Sequence, residues 1–134
     1  MLGQALYARL SADAGVTALC GANLYPNYIR ESEQLYPQIV YAVEDVAEDA
    51  AHDGLSGLIT AKARVTAVGK TYAAADALAA AVLASLDAQT GSWGTSWVLG
   101  CWLDDLHEDL VHDPSSEQVL YYLKELTFQI SYQK

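Results

Sequence analysis

Basic residues are scarce in this chain: seven Lys and Arg stand against seventeen Asp and Glu, for a net charge of −10. A protein that grips the phosphate backbone needs the opposite balance, so generic nucleic-acid binding is excluded. Cysteine is scarcer still. Cys20 and Cys101 lie far apart, each among apolar neighbours, which predicts two buried free thiols rather than a disulfide or a metal pair. No apolar run approaches the roughly 18–20 residues of a membrane span, so no membrane partner is expected. Met1-Leu2-Gly3-Gln4-Ala5 lacks the basic and apolar regions of a signal peptide, and the protein is expected to stay where it is made. There is no phosphate-binding glycine loop, no G-x-S-x-G elbow, no C-x-x-C and no H-E-x-x-H. No catalytic residue, cofactor or metal is therefore assigned.

What is present is a chain of 134 residues that is 52% hydrophobic, enough for one domain over residues 1–134 with a core of its own. Its centre is Gly54 to Ala88. Ile59, Ala61, Ala63, Val65 and Ala67 alternate with Thr60, Lys62, Arg64 and Thr66, the period-two pattern of a strand with one buried and one wet face. The buried side is mostly alanine, so a neighbour must approach closely. A helix over Tyr72–Ala88 follows, with Thr71 as its N-cap and Ala75, Leu78, Ala79, Val82, Leu83 and Leu86 at helical spacing.

Around this pair the chain reads simply. Leu2, Leu6 and Leu10 predict an amphipathic helix that Gly15 ends, and Val16–Cys20 offers one further turn. Asn23–Pro37 reads as irregular. Its Tyr25, Tyr28 and Tyr36 suit an interface, and equally suit folding back over the edge of the core. Gln38–Val46 is a strand, apolar on both faces. In Ser96–Leu103, Trp97, Leu99, Cys101 and Leu103 alternate with Val98, Gly100 and Trp102, again apolar on both sides. Val119–Tyr132 closes the chain as a strand. The expected fold is α+β: an antiparallel sheet of about four strands with two helices on one face, in the order helix-strand-strand-helix-strand-strand.

The acids are clustered. Glu44, Asp45, Glu48, Asp49 and Asp53 form one group; Asp104, Asp105, Glu108, Asp109, Asp113 and Glu117 form another. Both are expected in loops, Ala47–Ser56 and Asp104–Glu117, at one end of the sheet. The dyads His52-Asp53, His107-Glu108 and His112-Asp113 invite a metal or proton-transfer reading. A spacing of five between His107 and His112 fits neither one helical nor one strand face, so wet loops are the plainer reading. Lys62 and Arg64, on the wet strand face, are candidates to meet an acidic surface on a second copy. Trp93, Trp97 and Trp102 lie close together in sequence, more indole than a small domain readily buries, and a partner would cover the excess.

Several segments together resemble the tail-completion, or tail-terminator, family of long-tailed bacteriophages, which joins heads to tails. They are the Leu2-Leu6-Leu10 helix followed by Asp13-Ala14-Gly15-Val16; Asn23-Leu24-Tyr25-Pro26; Leu35-Tyr36-Pro37-Gln38-Ile39-Val40-Tyr41; Asp53-Gly54-Leu55-Ser56-Gly57-Leu58 leading to Ala63-Arg64-Val65 and the Thr71–Leu78 helix start; and a closing Phe128-x-Ile130-x-Tyr132. The resemblance implies a non-enzymatic virion protein at the head–tail junction, assembled in the host cytoplasm. It implies a ring of its own copies, commonly a hexamer, that caps the tail tube and stops its polymerisation. Its partners would be the major tail tube protein and a neck or head-completion protein, with DNA passing through unbound. Tyr25, Tyr28, Tyr36, Glu48, Asp49, Asp53, Lys62, Arg64, Asp105, Glu108, Asp109 and Asp113 are then the candidate interface. A head-closure protein, a small metal-dependent hydrolase using the histidine–carboxylate pairs, and an adaptor that adds a peptide to a sheet edge remain the alternatives.

Overall fold

The computed structural model describes residues 2–30, 35–51 and 54–133. Helix α1, Leu2–Ala12, buries Leu2, Ala5, Leu6 and Leu10, the stripe expected from the leucine spacing. Gly15 does not end it. Asp13, in extended conformation, breaks the helix and starts a new one: its Oδ1 accepts the Val16 N–H at 3.0 Å, and α2 runs Ala14–Cys20 with Gly15 inside.

The sheet is larger than four antiparallel strands. It has six, β1 (Leu24–Pro26), β2 (Gln38–Ala51), β3 (Gly54–Gly69), β4 (Gly91–Trp93), β5 (Ser96–His112) and β6 (Val119–Gln133), in the spatial order β1-β2-β3-β6-β5-β4. It is mixed, because β1 pairs parallel to β2 while the other neighbours are antiparallel. There are three helices rather than two, α3 being Tyr72–Leu86. The added strands are three residues each, too short for a period to show, and one ends in proline.

The acidic segments account for a second correction. Ala47–Ser56 and Asp104–Glu117 are mostly strand, not loop. β2 runs on to Ala51 through register shifts at Glu44/Ala47 and Glu48/Ala50, and β5 runs on to His112. Each is held by ladder bonds to a partner that also runs on, and on β5 Asp104, Asp105, Glu108 and Asp109 stay exposed. Nor do the segments share an end. Leu58 and Trp97 both pair with Gln133, whereas Gly69 and Leu110 both pair with Tyr122. The β2–β3 hairpin therefore projects from one end of the sheet and the β5–β6 hairpin from the other.

The helices cover one face, the inner face. Ala61, Ala63, Val65 and Ala67 of β3 and Leu126, Phe128 and Ile130 of β6 meet Leu78, Ala79, Val82 and Leu86 of α3 in one core with the α1 leucines. Each large side chain fully buried there contributes about 1.5–3 kcal/mol. The alanines set the spacing, and Gly69 shows how tight it is: a Cβ there would lie 2.8 Å from the Ala75 backbone nitrogen. Thr71 caps α3 as expected, its Oγ1 accepting the Ala74 N–H at 3.1 Å. Cys20 and Cys101 are buried free thiols, and burial, with Asp87 adding a smaller push, raises Cys101 to about 12.

On the outer face a smaller cluster, Val40, Val68 and Tyr121, lies under Ile29, Tyr36, Val111, Leu120 and Leu123. The chain before β2 folds over the sheet to make it. Gln38, fully buried, holds that fold: its Oε1 accepts the Arg30 N–H at 2.9 Å, and its Nε2 donates to Arg30 O at 2.7 Å and Leu35 O at 3.2 Å.

Candidate assembly surfaces

The three tyrosines divide between the two readings of their segment. Tyr36 folds back, stacked on Tyr121 at 5.9 Å with the Lys70 ammonium 4.9 Å from its ring. Tyr28 is 65% exposed. The Arg30 guanidinium lies 3.8 Å from the Tyr28 ring and 4.7 Å from that of half-buried Tyr25, and its Nη1 donates to Pro26 O and Tyr28 O. This holds a cation in one orientation at the surface, a feature the tyrosine pattern alone did not identify.

The basic strand face is already engaged within the chain. Arg64 Nη2 meets Glu44 Oε1 at 2.7 Å, and Lys62 Nζ lies 3.9 Å from Asp104 Oδ2.

The acids of β5 have local tasks. Asp105 and Asp109 each accept, through Oδ1, the N–H of the next residue, Leu106 at 2.9 Å and Leu110 at 2.8 Å. These bonds occupy backbone donors on a strand that β4 pairs only over residues 96–98. Glu108 and Asp76 hold Lys124 from two sides, at 3.1 and 2.7 Å, and Glu108 also accepts the Tyr72 hydroxyl. Those partners hold the Lys124 ammonium above the ordinary lysine range. Asp113 closes the hairpin turn by accepting from the Ser115 N–H and hydroxyl, which lower its carboxyl. Glu48 lies on β2 beside Ile59 of β3. Asp53 and His52 lie outside the described residues, as does the side chain of Asp49.

His107 and His112 fall in β5, not in a wet loop. His107 Nε2 is 3.9 Å from Asp109 Oδ2, both exposed, and His112 Nδ1 is 3.4 Å from Asp113 O. Among the described residues no three His, Cys, Asp or Glu side chains are grouped to hold a metal, and no helix is long and apolar enough to cross a membrane.

Two apolar surfaces complete the inventory. Of the tryptophans, Trp93 is buried, with the Arg9 guanidinium 5.7 Å from its ring, whereas Trp97 and Trp102 are 55% and 52% exposed. A bulge between Val98 and Gly100 breaks the expected alternation. It places Val98 and Cys101 inward and both tryptophans on the outer face. At the far lateral edge, between α1 and β2, an open groove of about 510 Å³ is lined by Leu2, Tyr7, Pro26, Tyr41, Val43, Val46 and Tyr132.

A comparison with curated protein sequences finds no match. Among solved structures, a chain of the virion of a native gene transfer agent particle is similar in fold, with a TM-score of 0.72 at 20% identity over 96% of this chain and 92% of that one. The family model described as tail completion protein gp17 matches residues 4–106, well over half the sequence. The chain is a phage tail structural protein and belongs to the tail completion protein gp17 family.

Proposed function

We propose that copies of this chain form a ring, six in number, that caps the tail tube, stops its polymerisation and presents the surface that joins the head. Family membership carries this reading. In it the chain catalyses no reaction and needs no cofactor; it assembles in the host cytoplasm and ends at the head–tail junction. Its partners are its own copies, the major tail tube protein and a neck or head-completion protein. The net charge of −10 supports passage of DNA without capture, since an acidic channel repels phosphate.

The test is tube length. Tube protein polymerised with this chain should give shorter tubes carrying one terminal ring in electron micrographs. Unchanged lengths and bare ends would overturn the terminator reading, and binding to filled heads instead would establish the head-closure alternative.

A further inference from the structure

Resting on that ring reading, we infer that neighbouring copies join by seating Trp97 and Trp102 of one copy in the groove beside α1 and β2 of the next. A closed ring of identical subunits needs two different, complementary patches on each subunit. The sheet supplies them at its two lateral edges. On the β5 side, two half-exposed indoles and exposed Leu99 stand on or beside the outer face. On the β2 side, the apolar groove of about 510 Å³ opens between Tyr7, Tyr41, Val43, Val46 and Tyr132.

Both patches are shaped by β-bulges. The shift between Val98 and Gly100 brings the tryptophans to one face, and the shift between Glu44 and Ala47, with Asp45 at φ 53°, turns out Val46, which is 56% exposed. The Trp102 ring lies over Gly100, where a Cβ would come within 2.7 Å of Cη2. Glycine thus leaves room for the indole to lie along the outer face of β5, where a side chain at position 100 would exclude it.

The patches are in step across the sheet. Trp102, Gln129, Lys62 and Glu44 pair in one row, so the tryptophans stand level with the bulge that presents Val46. Two residues along, Asp105, Thr127, Arg64 and Ala42 form the next row on that face. Asp105 lies in the row beside that of Trp102, and Arg30 donates to the carbonyl of Pro26, a residue that lines the groove; of the acids next to Val46, Glu44 is paired with Arg64 and Asp45 is exposed. Asp105 of one copy and Arg30 of the next then supply one pair of opposite charges beside the apolar contact. The two indoles leave roughly 250 Å² of apolar surface, about a third of the ~800 Å² per partner that a stable interface covers. That is the share expected of an aromatic anchor with a wider rim.

The experiment is sedimentation velocity over a wide concentration range on the wild type, a double variant Trp97→Ser/Trp102→Ser, and Val46→Arg, with thermal melts to confirm folding. Both variants alter exposed positions and should melt close to the wild type. Each alone should remain monomeric where the wild type forms rings, with the junction weakened roughly a hundredfold. Mixed together, they retain one intact patch each and should stop at a two-copy species. Rings from either variant at wild-type concentrations, or no two-copy species on mixing, would overturn this interface and leave the ring reading standing. A wild type that forms rings neither in solution nor on tube ends would remove the ring reading, and the interface with it.

Discussion

Strand β3 has two faces, and they obey different rules. Inward, Ala61, Ala63, Val65 and Ala67 are almost wholly buried under the helices. Outward, Lys62 and Arg64 are part-exposed and tied to carboxylates. On the inner face geometry dominates, because α3 sits so near that side-chain volume is the controlling quantity. On the outer face water screens the charges, and any single pair contributes little. Steric changes inside should therefore matter more than charge changes outside, though the outer side chains are larger and more polar.

Gly69→Ala tests the steric half and should give the largest effect at neutral pH. The new methyl would meet the Ala75 backbone nitrogen, which cannot move without shifting the start of α3. A loss of about 1–3 kcal/mol is expected, read as a fall in Tm of several degrees. A Tm within a degree of wild type would mean that helix and sheet are less closely fitted than the alanines imply.

Above about pH 9 a further loss is expected from titration of groups packed on the helix side of the sheet. Cys101 faces the core and its thiol is pushed up to about 12, above its ordinary value of 9.0. The folded state therefore keeps a proton that the unfolded chain releases between roughly pH 9 and 12. Stability should be level below that window and fall within it by about 1.4 kcal/mol per pH unit for this one group. Cys20, Tyr41 and Tyr132 are raised as well, chiefly by burial, and Tyr72 and Lys124 by their carboxylate partners; all act on the same limb. In urea melts from pH 8 to 11, Cys101→Ala should flatten the slope by its share. An unchanged slope would assign the alkaline limb to the other raised groups.

The same contrast explains what could be read from the sequence. The inner faces were legible because burial imposes period: the α1 leucines, the β3 alanines and the closing Leu126-Phe128-Ile130 run all stand where their spacing placed them. Thr71 was legible because capping is local chemistry. Strand length was not, since β2 and β5 continue through acid-rich stretches that show no apolar period, held by ladder bonds to the other arm of each hairpin. The bulge at Leu99 was invisible too, and with it the fact that Trp97 and Trp102 share a face. That the three tryptophans exceeded what the core would hold was readable; the groove at the opposite edge was not, because it forms only where α1 comes to lie beside β2.

The outer face gives the smallest effect. Arg64 and Glu44 approach to 2.7 Å, the shortest ion-pair distance among the described residues and one shared with Lys124–Asp76, yet both side chains are over 40% exposed. Exposure lets water and salt compete for each charge, and holding two long side chains in one geometry costs rotamer entropy. A double-mutant cycle on Arg64→Met and Glu44→Gln should return a coupling of about 0.2–1 kcal/mol that shrinks as salt is added. Removing Arg64 also adds one more negative charge to a chain already at −10, so the single variant should lose slightly more than the coupling alone. A coupling above about 2 kcal/mol that salt leaves intact would show that this face is shielded in solution. In that case the equilibrium under study is not that of a lone subunit, and the face that looks wet is covered by another copy.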